Sequence, residues 1–224
     1  MDVLQQLAKR RALSTGGHFV YTSGKHGSTY INLDPILPDV AVMAQLCREL
    51  AAPFVGQVQA VAAPAVGAIV LAVLTAHALS EGHAPVVAIW ADKTTGGGFA
   101  VERTGFSELL RGRTTLVVED LITTGGSVTK VCREVERHGA RIVGVSAVCN
   151  RGGATAEQLA APRLHSLAAV DFAAFPADNC PLCADMVPIV EDIGHGTQFR
   201  MQQPDYPGGF IRLVASSGSG IQRC

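Results

Sequence analysis

The chain has almost no net charge and few lysines. Eighteen basic residues oppose nineteen acidic ones, a formal balance of −1. That balance supplies no field that would gather nucleic acid or an anionic membrane surface. Only Lys9, Lys25, Lys93 and Lys130 stand beside fourteen arginines, so lysine chemistry has a short roll of candidates. No apolar run is long enough to span a bilayer: the longest apolar region, Val58 to Leu79, is interrupted by Gln59, Pro64, Gly67, Thr75 and His77. The opening stretch MDVLQQLAKRRALSTGGHF reads as an amphipathic helix and lacks the apolar centre of a signal peptide. Cys47, Cys132, Cys149, Cys180, Cys183 and Cys224 are dispersed, several in apolar segments, as reduced intracellular thiols are. A cytoplasmic location is expected. Internal repeats are absent, and SSGSG (216–220) is expected to be a loose tail. With 224 residues, 48% of them hydrophobic, the chain can bury a sizeable core in one generous domain or a domain with a small appendage.

Hydrophobic periodicity predicts a helix over 2–13, a hairpin over 18–33 turning near Gly24–Gly27, and a helix over 40–53. Strands are then expected at 58–63, 85–91, 114–119 and 141–148, with helices at 66–80 and 127–138. Near-continuous apolar strands alternating with helices indicate a parallel sheet covered on both faces. In the last helix Val128, Val131, Cys132 and Val135 form the apolar stripe. Lys130, Arg133, Glu134, Glu136 and Arg137 are assigned to the opposite side, and His138–Gly139 to the stop. Between Asp92 and Arg113 the pattern dissolves around three successive glycines. Two readings remain open there, a mobile lid or a two-stranded hairpin with a loose tip.

The run TLVVEDLITTGGSV (115–128) carries the chemistry. Ligands of open α/β sheets bind beyond the carboxyl ends of the strands, which is where Glu119 and Asp120 fall. The loop that follows leads into a helix whose first N–H groups lack partners and whose dipole favours an anion. Gly125 and Gly126 let the backbone curl around it, and Thr123, Thr124 and Ser127 add hydroxyl donors. Carboxylates accept hydrogen bonds, so a vicinal diol suits the acid pair. Phosphate at the helix and hydroxyls at the acids describe a sugar 5-phosphate. The other phosphate signatures, G-x-x-x-x-G-K-[ST] and G-x-G-x-x-G, are missing; the bland alternative is a strand end followed by an ordinary helix cap.

VVEDLITTGGS closely resembles the phosphoribosyl pyrophosphate (PRPP) motif of type I phosphoribosyltransferases. From about residue 14 to 195 the chain is similar to the orotate branch of that family, through GHFVYTSGKHGSTYIN, AAPAVGAIVLA, VEDLITTGGSVTKVCREVERHGARIVGV and NRGG. The resemblance implies an α/β type I phosphoribosyltransferase fold, a mostly parallel sheet flanked by helices with a small N-terminal hood. It divides the chain into helix and hood (1–39), core (40–175) and C-terminal extension (176–224). By position, Glu119 and Asp120 would hold the ribose, Thr123–Ser127 the 5-phosphate, and the turn containing Ala65 and Gly67 the pyrophosphate. Thr123 and Arg151 would hold orotate, with Lys25 of the hood a further substrate contact and His26 beside it a weaker one. Lys93 and Arg103 are the cations of the flexible catalytic loop. That loop departs from many members, which carry more lysines and a histidine; the lysine often beside the pyrophosphate turn is missing, and Thr22 replaces another in the hood.

The implied reaction passes ribose 5-phosphate from PRPP to orotate, releasing pyrophosphate, as in pyrimidine biosynthesis. Mg²⁺ is expected, bound mainly through PRPP and pyrophosphate, together with a homodimeric assembly and no protein metal cage. A phosphoribosyltransferase for another base and a non-catalytic PRPP sensor remain the alternatives. Cys180-Pro-Leu-Cys183, which also occurs in some members, invites a zinc reading. Yet no second C-x-x-C follows, and His195 and Asp192 lie at an unusual spacing, so two buried or redox-prone thiols are the expectation.

Overall fold

The computed structural model describes residues 3–213, so the SSGSG segment and Cys224 lie outside the described residues. The first elements are α1 (Val3–Lys9), β1 (Leu13–Val20), β2 (His26–Ile31), α2 (Val40–Ala51), β3 (Ala60–Pro64) and α3 (Ile69–Ser80). They continue with β4 (Val87–Lys93), β5 (Phe99–Ala100), α4 (Phe106–Leu110), β6 (Thr114–Ile122), α5 (Gly126–Arg137), β7 (Arg141–Asn150) and β8 (Leu164–Ala169). α6 (Pro181–Ala184), β9 (Ile189–Val190), α7 (Gly196–Gln202) and β10 (Phe210–Ile211) complete the order. Two compact units result: Ile36–Asp171, and a second in which residues up to Pro35 join those from Phe172 onward. Among the described residues no helix is long and apolar enough to cross a membrane.

The first unit is a six-stranded sheet in the order β5-β4-β3-β6-β7-β8, parallel except for β5. Alternation along the strands splits the core. Ala62, Ile89, Val117 and Val145 pack with Val128, Val131, Cys132 and Val135 of α5. On the other face Ser146 Oγ donates to the Leu50 carbonyl of α2 at 3.0 Å, so helices cover both sides as the apolar strands require. Gly139, at φ +80°, stops α5 where the sequence places it. From the centre the connections diverge, β3 leading outward to β4 and β6 leading the opposite way to β7 and β8. This switch point opens a crevice at the carboxyl ends of β3 and β6.

Several predicted elements need adjustment. β8 is an addition to the strands that periodicity predicts; its half-buried edge position leaves a weak apolar signal. The helix expected from residue 66 begins at Ile69, because the preceding residues form a turn. The 92–113 segment is the hairpin of the two readings plus a short helix: Asp92 pairs with Ala100 and Lys93 with Phe99. Glu134 is the clearest correction. It is buried, because its carboxylate accepts the Val101 N–H at 3.1 Å at the foot of the hairpin. Arg137 and His138 close on it at 2.9 and 3.1 Å. A side chain that periodicity assigns to solvent thus satisfies a backbone donor from another element.

The second unit pairs β1 with β2 antiparallel and β9 with β10 parallel. Phe19, Tyr21 and Val190 pack in one apolar cluster and Val20, Ile189 and Phe199 in another, with Val3, Leu7, Ile31 and Leu33 also buried. Glu191, bracketed by Arg200 and Arg212, is held below the usual carboxylate range by their hydrogen bonds.

Glu134→Ala strips the Val101 amide of its acceptor. A buried orphaned donor costs roughly 1–3 kcal/mol, so denaturant titration should show a loss of that size, with Glu134→Gln recovering most of it.

Candidate active site

The site grows from the carboxyl end of β6. Glu119 is paired in the ladder opposite Ala147, and as part of a central strand its side chain is buried. The Asp120 N–H donates to Glu119 Oε1 at 3.0 Å, and the Leu121 N–H donates to Asp120 Oδ1 at 2.6 Å. Both acids therefore lean on the local backbone and on no cation that the structure records for them. Burial, then the charge of Asp120, pushes the Glu119 carboxyl well above the usual carboxylate range.

Asp120 faces the turn after β3. Its Oδ2 lies 3.5 Å from where a Cβ at Gly67 would stand, so the missing side chain keeps the space between acid and turn clear. The Ala65 N–H donates to the Ala91 carbonyl at 2.8 Å, extending the β3–β4 ladder, and Val66 and Gly67 project exposed beyond it. A cis peptide joins Ala65 to Val66.

On the other side of the acids, Thr123 and Thr124 are exposed, and Gly125 turns the chain at φ +75° into α5. A Cβ at Gly125 would fall inside the Leu159 side chain, so this glycine is required twice over. Gly126 is not: a Cβ there would meet only Thr124 Oγ1, at an ordinary 3.7 Å. The curl expected of both glycines rests on Gly125. No side chain caps the start of α5, so its first N–H groups face outward beside Gly126 and Ser127, both exposed.

Arg151 follows β7. Its N–H donates to the Ile122 carbonyl at 2.9 Å, which brings its turn against the 123–127 loop. Asn150 closes that turn, its amide donating to the Ala154 carbonyl at 2.8 Å and its oxygen accepting the Ala154 N–H at 3.1 Å. Gly152 backs onto the Thr123 carbonyl, where a Cβ has no room. Asn150 and Gly152 were not singled out from the sequence, although both sit in the NRGG stretch; a side chain that bonds its own turn carries no periodic signal.

The first unit thus brings together Glu119, Asp120, Thr123–Ser127, Ala65, Gly67 and the Arg151 turn. The hairpin cations stand differently. Lys93 is exposed at the end of β4. Arg103 grips Asp92 with two bonds, 2.8 Å from Nε and 3.1 Å from Nη2, with its guanidinium 5.6 Å from the Trp90 ring centre. That pairing holds the Asp92 carboxyl below its usual range. Lys130 Nζ donates to the Gly97 carbonyl at 2.7 Å, fastening the glycine tip to α5. Lys25 lies exposed in the β1–β2 turn of the second unit.

Glu119 makes stability depend on pH. Its folded value is raised, so the protonated form is favoured, and its contribution is full below the ordinary carboxylate value and lost as pH rises through the folded value. Glu119→Gln mimics the protonated form. In thermal melts its advantage over the native chain should grow from near zero at acid pH, with a slope of at most about 1.4 kcal/mol per pH unit. Parallel stability curves for the two proteins would refute the burial argument.

A family model for the phosphoribosyl transferase domain matches residues 35–178. The orotate phosphoribosyltransferase of Desulforamulus reducens is 36% identical over 191 residues, 85% of this chain and 94% of that protein. The orotate phosphoribosyltransferase of Campylobacter jejuni subsp. doylei is 31% identical over 194 residues, 80% of this chain and 92% of its own. The crystal structure of orotate phosphoribosyltransferase from Aeropyrum pernix is similar with a TM-score of 0.60 at 27% identity, over 75% of this chain and 93% of that one. The acid pair, the uncapped helix start and these matches agree: the chain belongs to the phosphoribosyltransferase family.

Proposed function

We propose that the protein transfers the ribose 5-phosphate group of PRPP to orotate, giving orotidine 5′-phosphate and pyrophosphate. The observation that carries this reading is the convergence, at one switch point, of a diol-accepting acid pair, an uncapped helix N-terminus and an arginine-bearing turn. The naming of relatives that match over more than nine-tenths of their own length supports the choice of base.

In this reading a ring nitrogen of orotate forms the new bond to the anomeric carbon as the carbon–oxygen bond to pyrophosphate breaks, its electron pair leaving with pyrophosphate and the proton of the ring nitrogen passing to pyrophosphate or water. Positive charge builds on the sugar meanwhile. Asp120 and Glu119 hold the ribose hydroxyls and fix the ring, Thr123–Ser127 hold the 5-phosphate through backbone N–H and hydroxyl donors, and Ala65–Gly67 receive the pyrophosphate. Arg151 pairs with the carboxylate of the base, for which a planar guanidinium is the matching donor. Lys93 or Arg103 meets the leaving group once the hairpin tip moves. Mg²⁺ would neutralise charge on the pyrophosphate. The site fits a cation that draws most of its ligands from substrate and water, since β6 presents two adjacent carboxylates. A cytoplasmic homodimer belongs to the same reading.

Purified protein mixed with PRPP, Mg²⁺ and a panel of bases should release pyrophosphate with orotate. Release with another base alone would transfer the site to that base, and PRPP binding without turnover would make the protein a sensor. Asp120→Asn should lower kcat about 100-fold, in the range that loss of one positioned polar group produces, while the melting curve stays cooperative. Arg151→Ala should raise the KM for orotate and leave that for PRPP nearly unchanged; a matching rise in both would place Arg151 elsewhere in the mechanism.

A further inference from the structure

The C-x-x-C pair finds its missing partners in the β1–β2 hairpin of its own unit. His18, His26, Cys180 and Cys183 each turn one ligand atom inward, and these four atoms lie within 4.8 Å of one another. Cys180 and Cys183 are spaced three apart at the single turn of α6, which sets both sulfurs on one side. His26 opens β2, and its N–H and carbonyl bond Phe175 at 2.8 and 2.9 Å, binding the hairpin to the segment that carries the cysteines. In β1 the pairing slips between Thr15 and Phe19, leaving two extra residues opposite β2. That irregularity re-aims the strand, and His18, Phe19 and Val20 are all buried in succession where a regular strand would alternate.

We propose that His18, His26, Cys180 and Cys183 form a tetrahedral structural zinc site. Zn–N near 2.05 Å and Zn–S near 2.3 Å place ligand atoms about 3.3 Å apart for two nitrogens and about 3.5 Å for nitrogen and sulfur. His18 Nε2 lies 3.0 Å from His26 Nδ1 and 3.7 Å from each sulfur, and Cys183 Sγ lies 3.2 Å from His26 Nδ1. These four spacings differ from the ideal ones by a few tenths of an ångström, and none of the six exceeds 4.8 Å, so modest rotation of the side chains encloses one ion. The Val187 carbonyl accepts a bond from His18 Nδ1 at 2.8 Å. A carbonyl can only accept, so the proton sits on Nδ1 and Nε2 keeps the lone pair that a metal needs, the usual outer-shell arrangement of a ligating histidine. Phe199 stands edge-on to His26, and Tyr206 to His18, screening the cluster with aromatic rings.

Thiolate with imidazole selects a borderline-soft cation over Mg²⁺. Four protein ligands leave no open position, which makes the ion structural. Its role follows from what it joins: a metal linking residues more than 150 positions apart cross-links the hairpin to the C-terminal segment of the same unit.

The test uses the full chain, purified under reducing conditions without chelator and free of any histidine tag. Elemental analysis should find about one zinc per chain, and Cys183→Ser should lower that to under about a tenth. Because that variant could fail to fold, the native chain is also stripped and titrated with Co²⁺. Thiolate-to-cobalt charge-transfer bands together with intense visible bands of tetrahedral cobalt are expected, and Zn²⁺ should displace them at one equivalent. Zinc well below stoichiometry combined with a pale octahedral cobalt spectrum would overturn the proposal. So would mass spectrometry showing Cys180 and Cys183 joined as a disulfide in the freshly purified protein.

Discussion

A carboxylate buried at the end of a central strand governs the site. Glu119 cannot turn outward, because β6 lies between β3 and β7 and its ladder fixes the side-chain direction. Its burial opposes ionisation, and the adjacent Asp120 opposes it further. Bonds from the Asp120 and Leu121 N–H groups hold the two acids in place. An acid pair of this kind is electrostatically unfavourable to a further negative charge close by, yet suited to hydroxyl groups. In the proposed reaction the anionic groups lie away from the acids, at the start of α5 and the turn at Ala65–Gly67.

The arrangement therefore reads a ligand by its order of groups. Under the proposed reaction, hydroxyls in the middle and phosphates at the ends satisfy acids flanked by backbone donors, whereas a ligand with the reverse order meets like charges on both sides. Backbone supplies much of this recognition. Gly125 is forced by its left-handed φ and by Leu159, and Gly152 by the Thr123 carbonyl, so the two loops lock against each other independently of side-chain charge. Arg151 is the charged side chain mounted on that backbone frame, which is why the choice of base rests heavily on it under the proposed reaction.

The parts legible in the sequence are those governed by local rules. The apolar stripe of α5, its stop at Gly139, and the strand–acid–glycine run of residues 115–128 all express short-range periodicity or turn chemistry. What escaped is set by partners distant in sequence. Glu134 appears solvent-facing in its helix and is buried because Val101, thirty-three positions away, needs an acceptor. The Cys180–Cys183 pair lacks ligands within its own neighbourhood, and the histidines that face it lie about 160 residues earlier, His18 on a strand whose alternation is broken and His26 at the start of the next. β8, half buried, offers neither a clear alternation nor a continuous apolar run.

The hairpin after β4 shows how such distant contacts shape its energetics. At its foot the Val101 amide is buried against Glu134, and an orphaned donor there costs roughly 1–3 kcal/mol, so the foot stays fixed. Its other ties are exposed: Arg103 with Asp92 beside the foot, and Lys130 with the Gly97 carbonyl at the tip. Exposed ion pairs contribute only about 0–1 kcal/mol, because water and salt compete for both partners. Under the proposed reaction, a polyanion within reach of the Arg103 guanidinium would displace Asp92 with little lost. In the proposed reaction the loop's cation is thus stored in a weak pair above Trp90 and released by the charge it serves, while Glu134 holds the pivot.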